Sequence, residues 1–89
     1  MDEAEFRQQV QAEGYAEPER RVYPSNHPGK DLHTHDISVF AFVVDGAFTV
    51  VTEAGAETHR AGETRKVPAG TLHTERTGAE GATVLLARK

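Results

Sequence analysis

His33 and His35 stand two residues apart, just ahead of the apolar run 37–44. On an extended strand, side chains at i and i+2 leave the same face, so both imidazoles can chelate one divalent cation. An isolated His-x-His is commonly a pair of surface histidines. Here the strand continues as apolar residues on that same face, which predicts a pair turned toward the interior. His73 comes three residues after the end of a Pro68-Ala69-Gly70 turn, and the reversal lets it point into a cavity shared with other strands. Alone, that placement carries little weight. The other two histidines read as ordinary: His27 as solvated in a proline-flanked loop, with lining of the cavity mouth as the alternative, and His59 as a surface or core-edge residue at a strand end. Arg65 and Lys66 are adjacent, so alternation sends one of them outward. An inward Arg65 would bind a carboxylate substrate; a solvated charge is the expectation.

The elements that must position these residues come from a short chain. Eighty-nine residues with 37% hydrophobic and 27% charged side chains make one domain, 1–89, with an ordinary globular balance. Cysteine is absent, which excludes disulfides, thiolate zinc sites, iron–sulfur clusters and cysteine nucleophiles. A net charge of −4 without tryptophan argues against nucleic acid, which needs clustered cations or stacking platforms. No apolar run approaches the ~20 residues of a membrane helix, and the N-terminus is acidic rather than signal-like. The expectation is a soluble, cytoplasmic protein with no membrane partner.

Helix periodicity is confined to the start, 1–14. Asp2 and Glu5 fit a capping box, Phe6 and Val10 fall one turn apart, and Gly14 suits the C-terminal cap. Beyond residue 19 the pattern is short strands between turns, at 20–23, 32–44, 47–52, 57–60, 64–67, 71–77 and 82–87. Asp45-Gly46 reads as a hairpin turn and 78–81 as another. Regular strand spacing of this kind predicts an all-β barrel or sandwich over 20–88.

In the stretch 37–44 both alternation faces are apolar, with Val39, Ala41 and Val43 on one and Phe40, Phe42 and Val44 on the other. Such a strand must be covered on both sides. One side faces the barrel interior. The other requires the Phe6–Val10 helix, a second sheet or another subunit, and a homodimer burying Phe40, Phe42 and Val44 is expected.

Taken together, the two histidine segments resemble the cupin superfamily over about residues 20 to 88. Its first motif has a glycine, a short spacer, His-x-His, a glutamate and, after six residues, a glycine. Gly29, His33, His35 and Gly46 follow it, with Val39 at the glutamate position. The second motif, Gly-x5-Pro-x-Gly-x2-His-x3-Asn, is matched by Gly62, Pro68, Gly70 and His73 at every spacing, with Thr77 in the asparagine position. The resemblance implies a small double-stranded β-helix, the jelly-roll or cupin barrel, with a short N-terminal helix. It also implies a divalent metal held by His33, His35 and His73. Valine cannot coordinate, so the family's fourth ligand is missing. Three imidazoles suit zinc, iron, nickel, copper or manganese.

Glu75 lies two residues after His73 on a predicted strand, so it shares that face. It is the candidate catalytic residue: it either joins the ligands or acts as a base beside the metal. A local bulge would instead turn it to solvent, near Arg76 or Arg65. The resulting expectation is a metal-dependent enzyme, of dioxygenase, isomerase or lyase type, acting on a small polar molecule. The alternatives are a non-enzymatic metal or ligand-binding sensor module, or a cupin whose metal is structural. Val39, Ala41 and Val43 predict a greasy pocket with little catalytic equipment.

Overall fold

A computed structural model describes residues 1–89. Helix α1, Glu3–Ala12, begins at the expected capping box. The Glu5 amide donates to Asp2 Oδ1 at 2.8 Å and the Asp2 amide donates to Glu5 Oε1 at 3.0 Å. These two bonds satisfy amides that a helix start leaves without partners. Five strands follow: β1 (Glu19–Tyr23), β2 (Val39–Thr52), β3 (Gly55–Arg60), β4 (Thr64–Val67) and β5 (His73–Arg88). Every pairing is antiparallel. No helix is long and apolar enough to cross a membrane.

β2 and β5 are the two long strands, and they pair along nearly their whole length. The first part of β2 lies between the end of β5 and β4, whereas its second part lies between the start of β5 and β3. β1 flanks β5 at residues 82–86. Two expected turns are therefore corrected. Asp45-Gly46 and 78–81 do not reverse the chain; they lie inside continuous strands. Gly46 pairs with Ala82, and the β2–β5 register shifts on either side of it. Gly46 has φ +80°, and a Cβ there would run into the Gly81 carbonyl oxygen. The positive φ that an Asp-Gly turn would use is spent instead on bulges that bend both strands and fold the sheet over on itself.

One face of this folded sheet buries Tyr23, Ala41, Val43, Phe48, Val50, Val67, Ala82, Val84 and Leu86 in a single cluster. The opposite face carries a second cluster, formed by Phe6 and Val10 of α1 with Phe40, Phe42, Leu85 and Ala87. The Phe6 ring centroid lies 4.8 Å from that of Phe40 and 5.2 Å from that of Phe42. The face expected to form a homodimer interface is thus closed by the chain's own helix.

The strand expected over 32–44 begins only at Val39. The segment before it is irregular and is tied down by a few backbone bonds. His33 and His73 exchange backbone hydrogen bonds of 3.0 and 2.9 Å, an isolated antiparallel bridge. The Gly70 amide then donates to the His35 carbonyl at 2.9 Å. These contacts, rather than a shared strand face, hold the two histidine segments together.

Candidate metal centre

His33 and His35 come from the irregular segment before β2, and His73 is the first residue of β5. Their ring centroids are 4.8, 4.9 and 5.5 Å apart, and one nitrogen from each lies within 4.8 Å of the others. His73 is buried, His33 half-buried and His35 exposed, so the cluster opens from the sheet interior toward solvent. The three expected ligands are therefore brought together.

Backbone carbonyls decide how two of the rings face. His73 Nδ1 lies 2.8 Å from the Thr71 carbonyl oxygen, and His33 Nδ1 lies 3.1 Å from that of Asp31. A carbonyl only accepts, so each Nδ1 carries the hydrogen, and in the neutral ring Nε2 holds a free lone pair. Fixing a ring through its other nitrogen in this way orients a metal-binding imidazole. At His73 the consequence is sharper. Glu75 Oε1 lies 3.2 Å from His73 Nε2. With Nδ1 already committed, a carboxylate oxygen faces a lone pair unless a proton or a metal cation lies beside them. A divalent cation satisfies both groups, and the donor set fits one.

Glu75 lines the cavity beside His73, and Arg65 lines the same cavity. The Glu75 carboxylate stands beside the three-imidazole cluster, which consists of histidines alone. Val39, at the family motif's glutamate position, also lines the cavity. Gly29 and Thr77 position the loop that closes one side. Thr77 Oγ1 donates to the Pro24 carbonyl and accepts from the His27 amide, while Thr74 Oγ1 accepts from the Lys30 amide. Gly29, at φ +80°, passes so close to β5 that a Cβ would lie 2.9 Å from the Glu75 carbonyl oxygen. The hydroxyl in the motif's asparagine position thus anchors the loop to the strand that carries His73 and Glu75.

The cavity has a volume of about 530 Å³, and its lining is mixed: largely apolar as expected, but with charged and imidazole groups among it. Val39 and Ala41 line it, but Val43 is packed into the core. Several further residues line it, and three of them bear directly on the site. His27, read as solvated, has its ring 5.9 Å from Tyr23. Arg65, read as a solvated charge, faces in, and its neighbour Lys66 faces out, 2.7 Å from Glu13 and 5.0 Å from the Phe40 ring. Tyr23 was missed altogether. Its phenol is pushed above the usual tyrosine range by burial first and by the negative charge of Glu75 second, so it stays protonated as a donor. Alternation put Arg21 and Tyr23 on one face of β1, but which face became visible only through the pairing of Tyr23 with Ala82. His59 stays outside the cavity, on β3 opposite Phe48.

No protein-family model matches the chain, and no curated protein matches it in sequence. Solved structures do match. Protein NMB1881 from Neisseria meningitidis aligns with a TM-score of 0.61 at 24% identity, covering 84% of this chain and 86% of that one. Oxalate decarboxylase from Lactobacillus farciminis, solved as a formate complex, aligns with a TM-score of 0.67 at 21% identity, over 79% of this chain and 22% of that one. An RmlC-like cupin from Shewanella frigidimarina gives 0.64 at 20% identity, over 78% of this chain and 61% of that one. The chain therefore spans most of the first protein but less than two thirds of the other two. At these identities the likeness is one of fold.

Proposed function

From a chain that has the cupin fold, we propose a small metal-binding cupin acting as a metal-dependent enzyme on a small polar molecule. His33, His35 and His73 hold one divalent cation. The observation that carries this is the paired commitment at His73, with Nδ1 given to Thr71 and Nε2 facing both the other imidazoles and Glu75. Once bound, the cation supplies Lewis acidity toward a carbonyl or enediol oxygen of the ligand.

The chain's own residues supply the rest. Glu75, close to His73 and half-buried, takes or returns a proton at the ligand as general base. Tyr23 is held protonated on the wall and donates a hydrogen bond to a ligand oxygen. Val39 and Ala41 keep part of the wall apolar, which favours exclusion of water when a ligand enters. A non-catalytic binding or sensor module would need the same metal. An acid–base pair facing the same cavity, Glu75 and Tyr23, favours chemistry. Structural similarity to a decarboxylase solved with formate supports a small polar substrate.

The test begins with elemental analysis of protein purified without chelator, then titration of the metal-free chain with zinc, nickel and iron(II). One ion per chain is expected, with a raised melting temperature, and His73→Ala abolishes both. Glu75→Gln keeps the fold and weakens metal affinity or turnover by about ten- to a hundredfold. A chain that carries no stoichiometric metal, and whose melting ignores all three ions, defeats the proposal.

A further inference from the structure

We propose that the cavity takes a small carboxylate anion and that Arg65 is the residue that grips it. The inference rests on the functional reading above insofar as both place the ligand in this cavity, but it does not require the metal.

The lining is sorted by charge. The chain holds 14 acidic and 10 basic residues, yet four cationic side chains, Arg21, Lys30, Arg65 and Arg88, line the cavity against one acidic, Glu75. Four of the chain's ten cations thus border one concavity, two of them, Arg65 and Arg88, paired with Glu57 and Glu19 outside it. Partly apolar walls focus such a field and raise the local concentration of anions. A neutral or cationic ligand would gain nothing from this arrangement.

Arg65 is the most enclosed of the arginines with an ion-pair partner here. Its side chain is 21% exposed, against 36% for Arg88. It sits on β4 opposite Ala41, two residues before the buried Val67, and so on the face that looks inward. Its bonding is also incomplete. Arg88 Nη1 donates to Glu19 at 2.6 Å. Arg65 Nη1 approaches Glu57 at 3.2 Å as an ion pair, and the Arg65 guanidinium donates no hydrogen bond within the chain. Five N–H donors in a planar fork match a carboxylate in two-pronged fashion. None of the Arg65 nitrogens is sealed from water without a partner, so an entering oxyanion exchanges water for a two-pronged charge-assisted contact. Glu57 is 71% exposed on β3, so water can solvate it when the ligand displaces it. Glu57 is then a competitor for Arg65, and removing it should strengthen ligand binding.

The experiment titrates the full, isotope-labelled chain, freed of metal, with malonate, succinate and glutarate and with the diamide of each, following amide and Arg65 side-chain resonances. Working without metal keeps carboxylate–metal binding out of the reading. At least one dicarboxylate is expected to bind about tenfold or more tightly than its diamide and to weaken as salt is raised. Arg65→Gln loses that preference, and Glu57→Gln tightens binding. The second variant alters an exposed side chain, so it decides the matter even where Arg65→Gln fails to fold. If all three dicarboxylates bind no better than their diamides, or Glu57→Gln leaves the affinity of the best one unchanged, the assignment is overturned. Zinc titration of the same samples separates the two readings. Zinc binding without anion preference leaves the metal centre and removes the anion. Anion preference without zinc binding does the reverse.

Discussion

Val39 and Phe40 are neighbours on β2, yet their side chains occupy different media. Phe40 is 1% exposed, sealed between Phe6, Phe42 and Leu85 beneath α1. Val39 is partly exposed, in a cavity it shares with four histidines, a carboxylate and several cations. In the sequence both faces of this strand look alike, because both are built from apolar residues. Their difference comes from what is laid over them. The outer face receives a helix bearing Phe6 and Val10 and becomes a dry aromatic cluster. The inner face is only partly filled by the folded-over sheet, and the unfilled part is where chemistry is possible. The outer cluster therefore stabilises the fold, and the inner one gives up packing for a site.

The same substitution at the two positions breaks this comparison if it is wrong. Phe40→Glu removes about 3 to 5 kcal/mol of packing and leaves an unpaired buried charge that costs several more. Total stability is typically about 5 to 15 kcal/mol, so the expected result is a chain with no cooperative thermal transition by circular dichroism. A folded Phe40→Glu protein with a normal melt would show the outer face to be wet. Phe6→Ala is the milder form of this test. It costs about 3 to 5 kcal/mol, or roughly 10 to 40 °C in melting temperature for a domain of this size, while zinc affinity of the folded fraction stays the same.

Val39→Glu, one residue away, is expected to fold and to bind zinc more tightly, by about tenfold or more, because it adds a carboxylate on the cavity side of three imidazoles. Calorimetric titration reads this directly. Lost folding, or unchanged zinc affinity, would mean that Val39 is a packing residue and not a vacated ligand position.

How far the sequence reached follows the same division. The helix was legible because its capping box and its Phe6–Val10 pair are local. The three histidines were legible because two motifs fixed their spacing. The bends were not. Asp45-Gly46 offers a positive φ, and both a tight turn and a bulge use one. Only β5 passing at Gly81–Ala82 chooses between them, and that contact is far along the chain. The pairing of His33 and His35 was reached by a strand periodicity that the segment does not have; the His33–His73 bridge does the positioning instead. The charged lining was hidden for a related reason. Alternation says that Arg65 and Lys66 part company, but only the register of β4 on β2, with Ala41 opposite Arg65, says which one faces the cavity.

The smallest expected effect concerns the attachment of α1 itself. Lys66 Nζ lies 2.7 Å from Glu13 Oε1, joining the end of the helix to β4 above the Phe40 ring. The Glu13 carboxyl is held below its usual range, first by the hydrogen bond from Lys66 and then by that from Gln9. Lys66 is held above its usual range, chiefly by the bond to Glu13. The signs follow by linkage. Glu13, lowered, adds stability that is present above the ordinary carboxylate range and lost as pH falls through its depressed value. Lys66, raised, adds stability that is present below the ordinary lysine range and lost as pH rises through its elevated value. The pair therefore acts across the wide interval between the two. Lys66 is exposed and Glu13 half-buried, so solvent and salt screen the interaction. Lys66→Met is expected to lower the melting temperature slightly at neutral pH, less than any substitution above. The difference from the unaltered chain should shrink in high salt and vanish as pH drops below the Glu13 range. Combining it with Glu13→Gln should add nothing further. A deficit that persists at acid pH and in high salt would assign the role of Lys66 to its methylene chain packing over Phe40, and the outer cluster would then extend one residue further than its apolar members.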